Sequence, residues 1–330
     1  MQIWQRTVRP ATLILLLHLS LAFAVETADA GEPDFLLGDW EVSLKQKNLV
    51  NSHTSYEFGN PFPPYQVPLS RLEFPINTFW GGIEVRKQFS RFSFDADFLS
   101  TLTPQDAGGQ MYDSDWEDDN DPQRLSIFSS SACRMQIGYE AGTDLDIQVA
   151  DLLQLPEGFF LRPLIGFRWQ HLHLITHDGI QYMYAPDGSQ SSELLPGNGI
   201  DFQQDWFRYI LGLRFGYEWH RLGWLYSMKL NTQLDWSYVT GYNLDHHLLR
   251  DGNRLTEEKT SGDGWHASMG LLMGLSPRVN LGIEADYLSI QTTGTHTLRN
   301  DPYGILFSFK HGVKAWSEQY GITVKMGLRF

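Results

Sequence analysis

Two short stretches carry side chains whose types and spacing suit hydrolytic chemistry. In "MYDSDWEDDNDP", residues 111–122, Asp113 and Asp115 stand two apart within a run of acidic side chains (Asp113, Asp115, Glu117, Asp118, Asp119, Asp121) that contains no basic residue. In extended backbone a spacing of two sends both carboxylates to one side. Held together they repel, so one pKa rises, and the pair can share a proton or grip a water. In "TGYNLDHHLLRDG", residues 240–252, Asp245 and His247 repeat that spacing. An imidazole beside a carboxylate is equipped for general-base work, because the carboxylate selects the tautomer and supports the imidazolium formed on proton uptake. A single Asp-x-Asp is more often a solvated loop. A calcium loop fits poorly, since Asp118 stands where the EF-hand pattern needs Gly and Arg124 where it needs Glu. Two same-face pairs together make the sharper signal.

These pairs need elements that bring them together, and the chain writes those elements in a period of two. From Trp224 to Tyr238 the even positions are mostly apolar (Trp224, Tyr226, Met228, Leu230, Leu234, Trp236, Tyr238), and the odd ones mostly polar (Ser227, Lys229, Asn231, Gln233, Asp235, Ser237). Such alternation is the mark of a strand with an apolar and a wet face. Asp245 and His247 continue the odd, wet face; without a bulge both point into a barrel mouth. Phe207 to Trp219 and Cys133 to Tyr139 alternate in the same way, Cys133 lying on an apolar face as a small hydrophobe. The runs exceed the strands usual in soluble sheets, and their apolar faces are rich in Trp, Tyr and Phe, like the girdled outer wall of a membrane barrel. The competing reading is a secreted soluble barrel.

Short connections near 86–88, 153–158, 219–223 and 276–278 alternate with long polar ones near 59–66, 104–130, 176–201, 241–262 and 293–316. Counting between them predicts an all-β fold: a ten-stranded antiparallel transmembrane β-barrel with tight periplasmic turns and long extracellular loops. Residues 1–30 read as a signal peptide, with Arg6 and Arg9, an apolar run from Ala11 to Val25 and a closing Ala28-Asp29-Ala30. Residues 31–330 read as one barrel domain. Beyond the leader no apolar stretch approaches the roughly 18–20 residues of a spanning helix. The net charge of −14 disfavours nucleic acid and favours cationic partners, and a lone cysteine, Cys133, leaves no intrachain disulfide.

The sequence resembles the omptins, outer-membrane aspartyl endopeptidases on a ten-stranded barrel. The resemblance rests on "DSDW" (Asp113, Asp115, Trp116), "DHH" (Asp245, His247), "LSRLEFPIN" at 69–77, the mature length and a final strand ending on Phe330. It implies a protease of the bacterial outer membrane, its active site facing outside, with Asp113, Asp115, Asp245 and His247 as catalytic residues acting through a water. It implies cationic peptide or protein substrates cut beside basic residues, with Glu57 as one member of the pocket for the basic side chain and Asn243 where the family carries an aspartate. No metal or organic cofactor is implied. Lipopolysaccharide is a candidate activator, although the family's Tyr-x-Glu-x-Arg arm reads "FRWQH" (167–171) here; Arg168, Arg208 and Arg214 are alternative phosphate partners unless they face the lumen.

Two alternatives stand beside the protease. One is a catalytically silent barrel used as an adhesin or structural outer-membrane protein, favoured by the departures at Asn243 and around His171. The other is a passive pore, disfavoured because bulky inward residues such as Arg214, Glu218, Lys229, Gln233 and Asp235 would fill ten strands, whereas open channels need roughly 16. His171 and His173 share a face; without a third ligand they read as a lumen or groove pair rather than a metal site.

Overall fold

The computed structural model describes residues 40–59 and 68–330. The expected signal peptide lies outside these residues, as does nearly all of the first long connection. Twelve strands follow in chain order: β1 (Trp40–Gly59), β2 (Pro68–Pro75), β3 (Phe79–Phe89), β4 (Phe92–Ser100), β5 (Gln105–Asp115), β6 (Ile127–Ile147), β7 (Phe159–Tyr184), β8 (Gln190–Leu222), β9 (Leu225–His247), β10 (Arg254–Gly274), β11 (Val279–Asn300) and β12 (Ile305–Arg329). They form one antiparallel sheet in which β12 closes on β1.

The twelve segments make a ten-stranded barrel because two staves are interrupted. In the lower half the ring runs through β1, β3, β4 and β6; in the upper half β2 and β5 take the places of β3 and β4, β1 and β6 pairing with both. Asn77 stitches the break, its side-chain oxygen accepting from the Ser52 amide at 2.8 Å and its amide nitrogen donating to the Gly108 carbonyl at 3.2 Å. The neighbouring strands bulge at this level too, β1 between Val50 and His53, β5 between Asp106 and Gln110, and β6 between Met135 and Ile137. A bulge inserts a residue and switches which side chains face inward.

That switch corrects one reading of β6. Cys133 and Met135 are buried in the interior, whereas Tyr139, beyond the bulge, stacks with Phe98 and Trp169 on the outer wall. The apparent single apolar face is two half-faces pointing opposite ways. The long connections are also shorter than expected: strands reach into them, leaving 116–126, 185–189, 248–253 and 301–304 between strands. β8 runs for 33 residues and β7 for 26, far beyond the roughly 9–11 that cross a bilayer. The aromatic stripe marks only the lipid belt; the hydrogen-bonded ladder continues past it.

Below the bulges the interior is filled by ion pairs. Arg214 bridges Asp95 at 3.0 Å and Asp146 at 2.7 Å, Lys45 bridges Glu84 and Asp97 at 3.0 Å each, and Arg168 meets Asp97 and, at 3.1 Å, Asp144. Arg208 pairs with Asp235 at 3.4 Å. The arginines at 168, 208 and 214 therefore face the lumen, and the idea that they meet lipid phosphates is corrected. Above them lies an apolar layer including Leu49, Phe74, Trp80, Met135, Leu172 and Phe202. It roofs the charged interior and floors the upper barrel.

Candidate active site

β9 pairs with β10 without a register shift from Ser227 to His247. The period-two pattern therefore persists along it, and Asp245 and His247 keep the inward parity of Gln233 and Asp235. Tyr238, the last exposed aromatic of its outer face, is seven residues short of Asp245, or about 23 Å of strand at ~3.3 Å per residue. The site stands well above the lipid belt. On the facing wall β5 turns Met111, Asp113 and Asp115 inward.

Asp113 and His247 line one open cavity of about 200 Å³, with Ser129, Ser131, Thr176, Asp178, Glu193 and Arg250 among its other walls. Residues more than a hundred positions apart thus meet over the barrel rim. The Nε2 of His247 lies 3.4 Å from Oδ1 of Asp245, and the other oxygen of Asp245 accepts a hydrogen bond from the Tyr56 hydroxyl. Ser70 Oγ lies 3.5 Å from Asp113.

The electrostatics follow from crowding like charges in a dry place. Burial raises Asp113 well above the usual carboxylate range, and the charges of Asp115 and Asp245 push it further the same way. Burial also raises Asp115, and it pushes Asp245 up to about 7. Burial, then the guanidinium groups of Arg254 and Arg250, holds His247 down to about 3. Near neutral pH the imidazole is uncharged and free to accept a proton.

Glu57 does not join this group. Past the bulge after Val50, β1 turns Thr54 and Tyr56 inward, so Glu57 points out, where its carboxylate takes Arg71 at 2.7 Å. The Arg71 guanidinium sits 5.8 Å from the rings of both Trp116 and Trp316. Trp116 is therefore an anchor on the outer wall and does not shape the groove. Asn243 does face inward, buried, accepting from the Gln204 amide at 3.0 Å while Gln204 accepts from Thr54 at 2.6 Å. Opposite Asn243 on β10 stands Glu258, fully buried and bonded at 2.9 Å to His296, whose ring stacks on Phe58 at 4.3 Å. The period-two pattern does not mark Tyr56, Glu258 or His296; the inward turn of Tyr56 follows from the β1 bulge, where Asn51 is left-handed.

The rest of the acidic run is ordinary turn chemistry. Asp118 pairs with Arg124 at 2.6 Å and accepts from the Asn120 amide, and Asp121 accepts from that of Gln123. His171 and His173 are not in the lumen or the groove. They stand on the outer wall, because Gln170 and Leu172 between and beside them are the buried, inward residues of β7. Each pairs along the wall with an aspartate of β8, His171 with Asp205 at 3.0 Å and His173 with Asp201 at 2.9 Å.

Fold and groove together define the class: a ten-stranded barrel of the outer-membrane type, carrying facing carboxylates and an imidazole at one rim. The family model described as the omptin family matches residues 69–330, and the chain belongs to that family. Its structure is similar to the outer membrane protease OmpT from Escherichia coli, with a TM-score of 0.78 at 14% identity over 91% of this chain and 99% of that one; at such identity the likeness is one of fold. The translocator domain of the autotransporter NalP from Neisseria meningitidis aligns over 97% of both chains at 9% identity, but with a TM-score of only 0.34. No curated protein matches the chain.

Proposed function

We propose that the protein is an endopeptidase of the outer membrane that cleaves cationic peptides or proteins by direct attack of water. The single observation behind this reading is the shared cavity of Asp113 and His247, an acid bank and a neutral base facing one space. In the mechanism, Asp113 and Asp115 hold the water and, through a retained proton, the scissile carbonyl. His247 takes the water's proton as the oxygen attacks the carbonyl carbon. Asp245 orients His247 and supports the imidazolium, and His247 then returns the proton to the departing amine. Such proton transfers are each worth about 10²- to 10⁴-fold. No acyl-enzyme forms.

A cationic substrate suits the net charge of −14 and the acid lining of the cavity by Asp113, Asp178 and Glu193. Cleavage beside a basic residue cannot draw on Glu57, which is turned outward. In this proposal the carboxylate that stands across the β9–β10 ladder from Asn243 is that of Glu258. The site faces outside the cell, since the short turns occupy the other end. A barrel that binds without cutting is the second reading, favoured by the neutral Asn243 at the groove floor.

Incubating refolded protein with a basic peptide library in H₂¹⁸O, with and without rough lipopolysaccharide, tests all of these. Expected are cuts enriched beside Arg or Lys, with one ¹⁸O in the new carboxylate from the first turnover. Trapping of a peptidyl-enzyme would refute direct attack, absence of cleavage in both conditions would favour the binding-only barrel, and equal rates with and without lipopolysaccharide would dismiss it as an activator.

A further inference from the structure

Asp245 is fully buried, and what it touches from each side is unequal. On its own strand His247 lies 3.4 Å from Oδ1, without a hydrogen bond from any group to that oxygen. On β10 the facing residue is the buried Thr256, with Arg254 and Glu258 two residues to either side. Asp113 approaches from β5, and His296 from β11 behind Glu258. Among the described residues only β1 supplies a hydrogen bond, from the hydroxyl of Tyr56 to Oδ2.

Tyr56 is itself held rigidly. Its ring is fully buried and stacks on Phe202 at 5.8 Å, which stacks on Phe74 at 4.2 Å. A phenol placed by aromatic packing from two further strands delivers its proton to one fixed point. It reaches that point only because β1 bulges between Val50 and His53; in unbroken register Tyr56 would face outward. Accepting this bond leaves Oδ1 of Asp245 directed at the imidazole.

We propose that Tyr56 is a positioning residue of the hydrolytic site, donating a fixed hydrogen bond that orients the Asp245 carboxylate toward His247 and favours its ionised form. The proposal rests on the endopeptidase reading above. It separates two duties among buried groups: His247 and Asp113 touch the cavity, while Tyr56 acts only through Asp245. Its removal must therefore change turnover and leave substrate affinity alone. Because the bond favours the carboxylate over the carboxylic acid, its loss must also move the acidic limb of the pH profile to higher pH.

The test compares wild type with Tyr56→Phe as full-length refolded barrels on a fluorogenic cationic peptide from pH 5 to 9. A hydrogen bond to a charged group corresponds to roughly a 10- to 100-fold effect. The expected result is a fall in kcat of that order at pH 7, an unchanged KM, and an acidic limb displaced upward by about one pH unit. A profile superimposable on that of wild type overturns the proposal. Should Tyr56→Phe not fold, judged by heat-modifiable mobility, fluorotyrosine at position 56 keeps the packing and alters the acidity of the hydroxyl. The limb must then shift in proportion to fluorine number, and no shift overturns the proposal equally. A wild type that cuts nothing, while Tyr56→Phe and Asp245→Asn still show non-additive effects on unfolding, instead overturns the endopeptidase reading and leaves the contact as architecture.

Discussion

The barrel holds two collections of charged side chains, one within the lipid belt and one at the rim, built from the same residue types in opposite arrangements. In the lower interior signs alternate. Arg162 at 2.5 Å and Arg214 at 2.7 Å both take Asp146, and Lys325 and Lys45 share Glu84 at 3.0 Å each. Buried charges such as these are tolerated because each of them meets an opposite charge within hydrogen-bonding reach. At the rim Asp113, Asp115 and Asp245 crowd together with only Arg250 and Arg254 as nearby guanidinium groups among the described residues, and the imidazole is uncharged. Ion pairs like those of the lower interior fill space. A crowd of like charges keeps protons mobile, as general acid and base work needs. The apolar layer that includes Leu49, Phe74 and Phe202 separates the two and keeps the lower cations from neutralising the upper acids.

Four changes would break or sharpen this contrast. Asp113→Ala removes a member of the like-charge crowd. Peptide cleavage should fall by about 10²- to 10⁴-fold, while unfolding is unaffected or shifts to higher denaturant, because a repelling carboxyl has gone. Asp146→Ala removes one of the lower acids and leaves Arg162 short of its partner. Urea unfolding of the detergent-solubilised barrel should show a loss of about 3–5 kcal/mol, with KM for the folded fraction unchanged.

Asp245→Asn tests the sign of the rim electrostatics. Burial raises Asp245 from 3.8 to about 7 in the folded barrel. The folded state therefore binds its proton more tightly than the unfolded one, and the stability this group contributes is present below pH ~4 and lost as pH rises through about 7. Unfolding of the variant at pH 8 should accordingly reveal a gain of about 1–3 kcal/mol over wild type that shrinks toward pH 4. The same group sets the wild-type rate, which should climb through pH ~7 as the carboxylate forms and supports His247. The smallest effect belongs to Glu57→Gln. Facing outward against Arg71, it should shift unfolding by no more than about 0.5 kcal/mol and leave cleavage beside basic residues as it was; a large rise in KM would return Glu57 to the groove.

How far the fold and site could be read in advance depended on where the ladders stay in register. β9 does so from the lipid belt to the rim, so the parity of Trp236 and Asp235 carried through to Asp245 and His247. β1 does not. One bulge, at which the Asn77 side chain accepts from the Ser52 amide, inverted the faces of Tyr56 and Glu57. β6 hid a similar switch behind an unbroken alternation from Cys133 to Tyr139. The ten staves were legible because turns and aromatic stripes are local signals. The contact of Tyr56 with Asp245 was not, since β1 and β9 are not neighbours in the sheet, and that of Glu258 with His296, cross-strand partners on β10 and β11, depends on a register that no local pattern fixes.

The measurement that bears most directly on the central claim is the cleavage rate of a fluorogenic dibasic peptide by refolded wild type and by His247→Ala, at pH 8 and with both barrels shown to be folded by heat-modifiable mobility. The account predicts measurable turnover by wild type and a loss of at least about 10²-fold in the variant. Equal rates for the two would contradict it and turn attention to His177, which lines the same cavity and pairs with Asp178 at 3.0 Å.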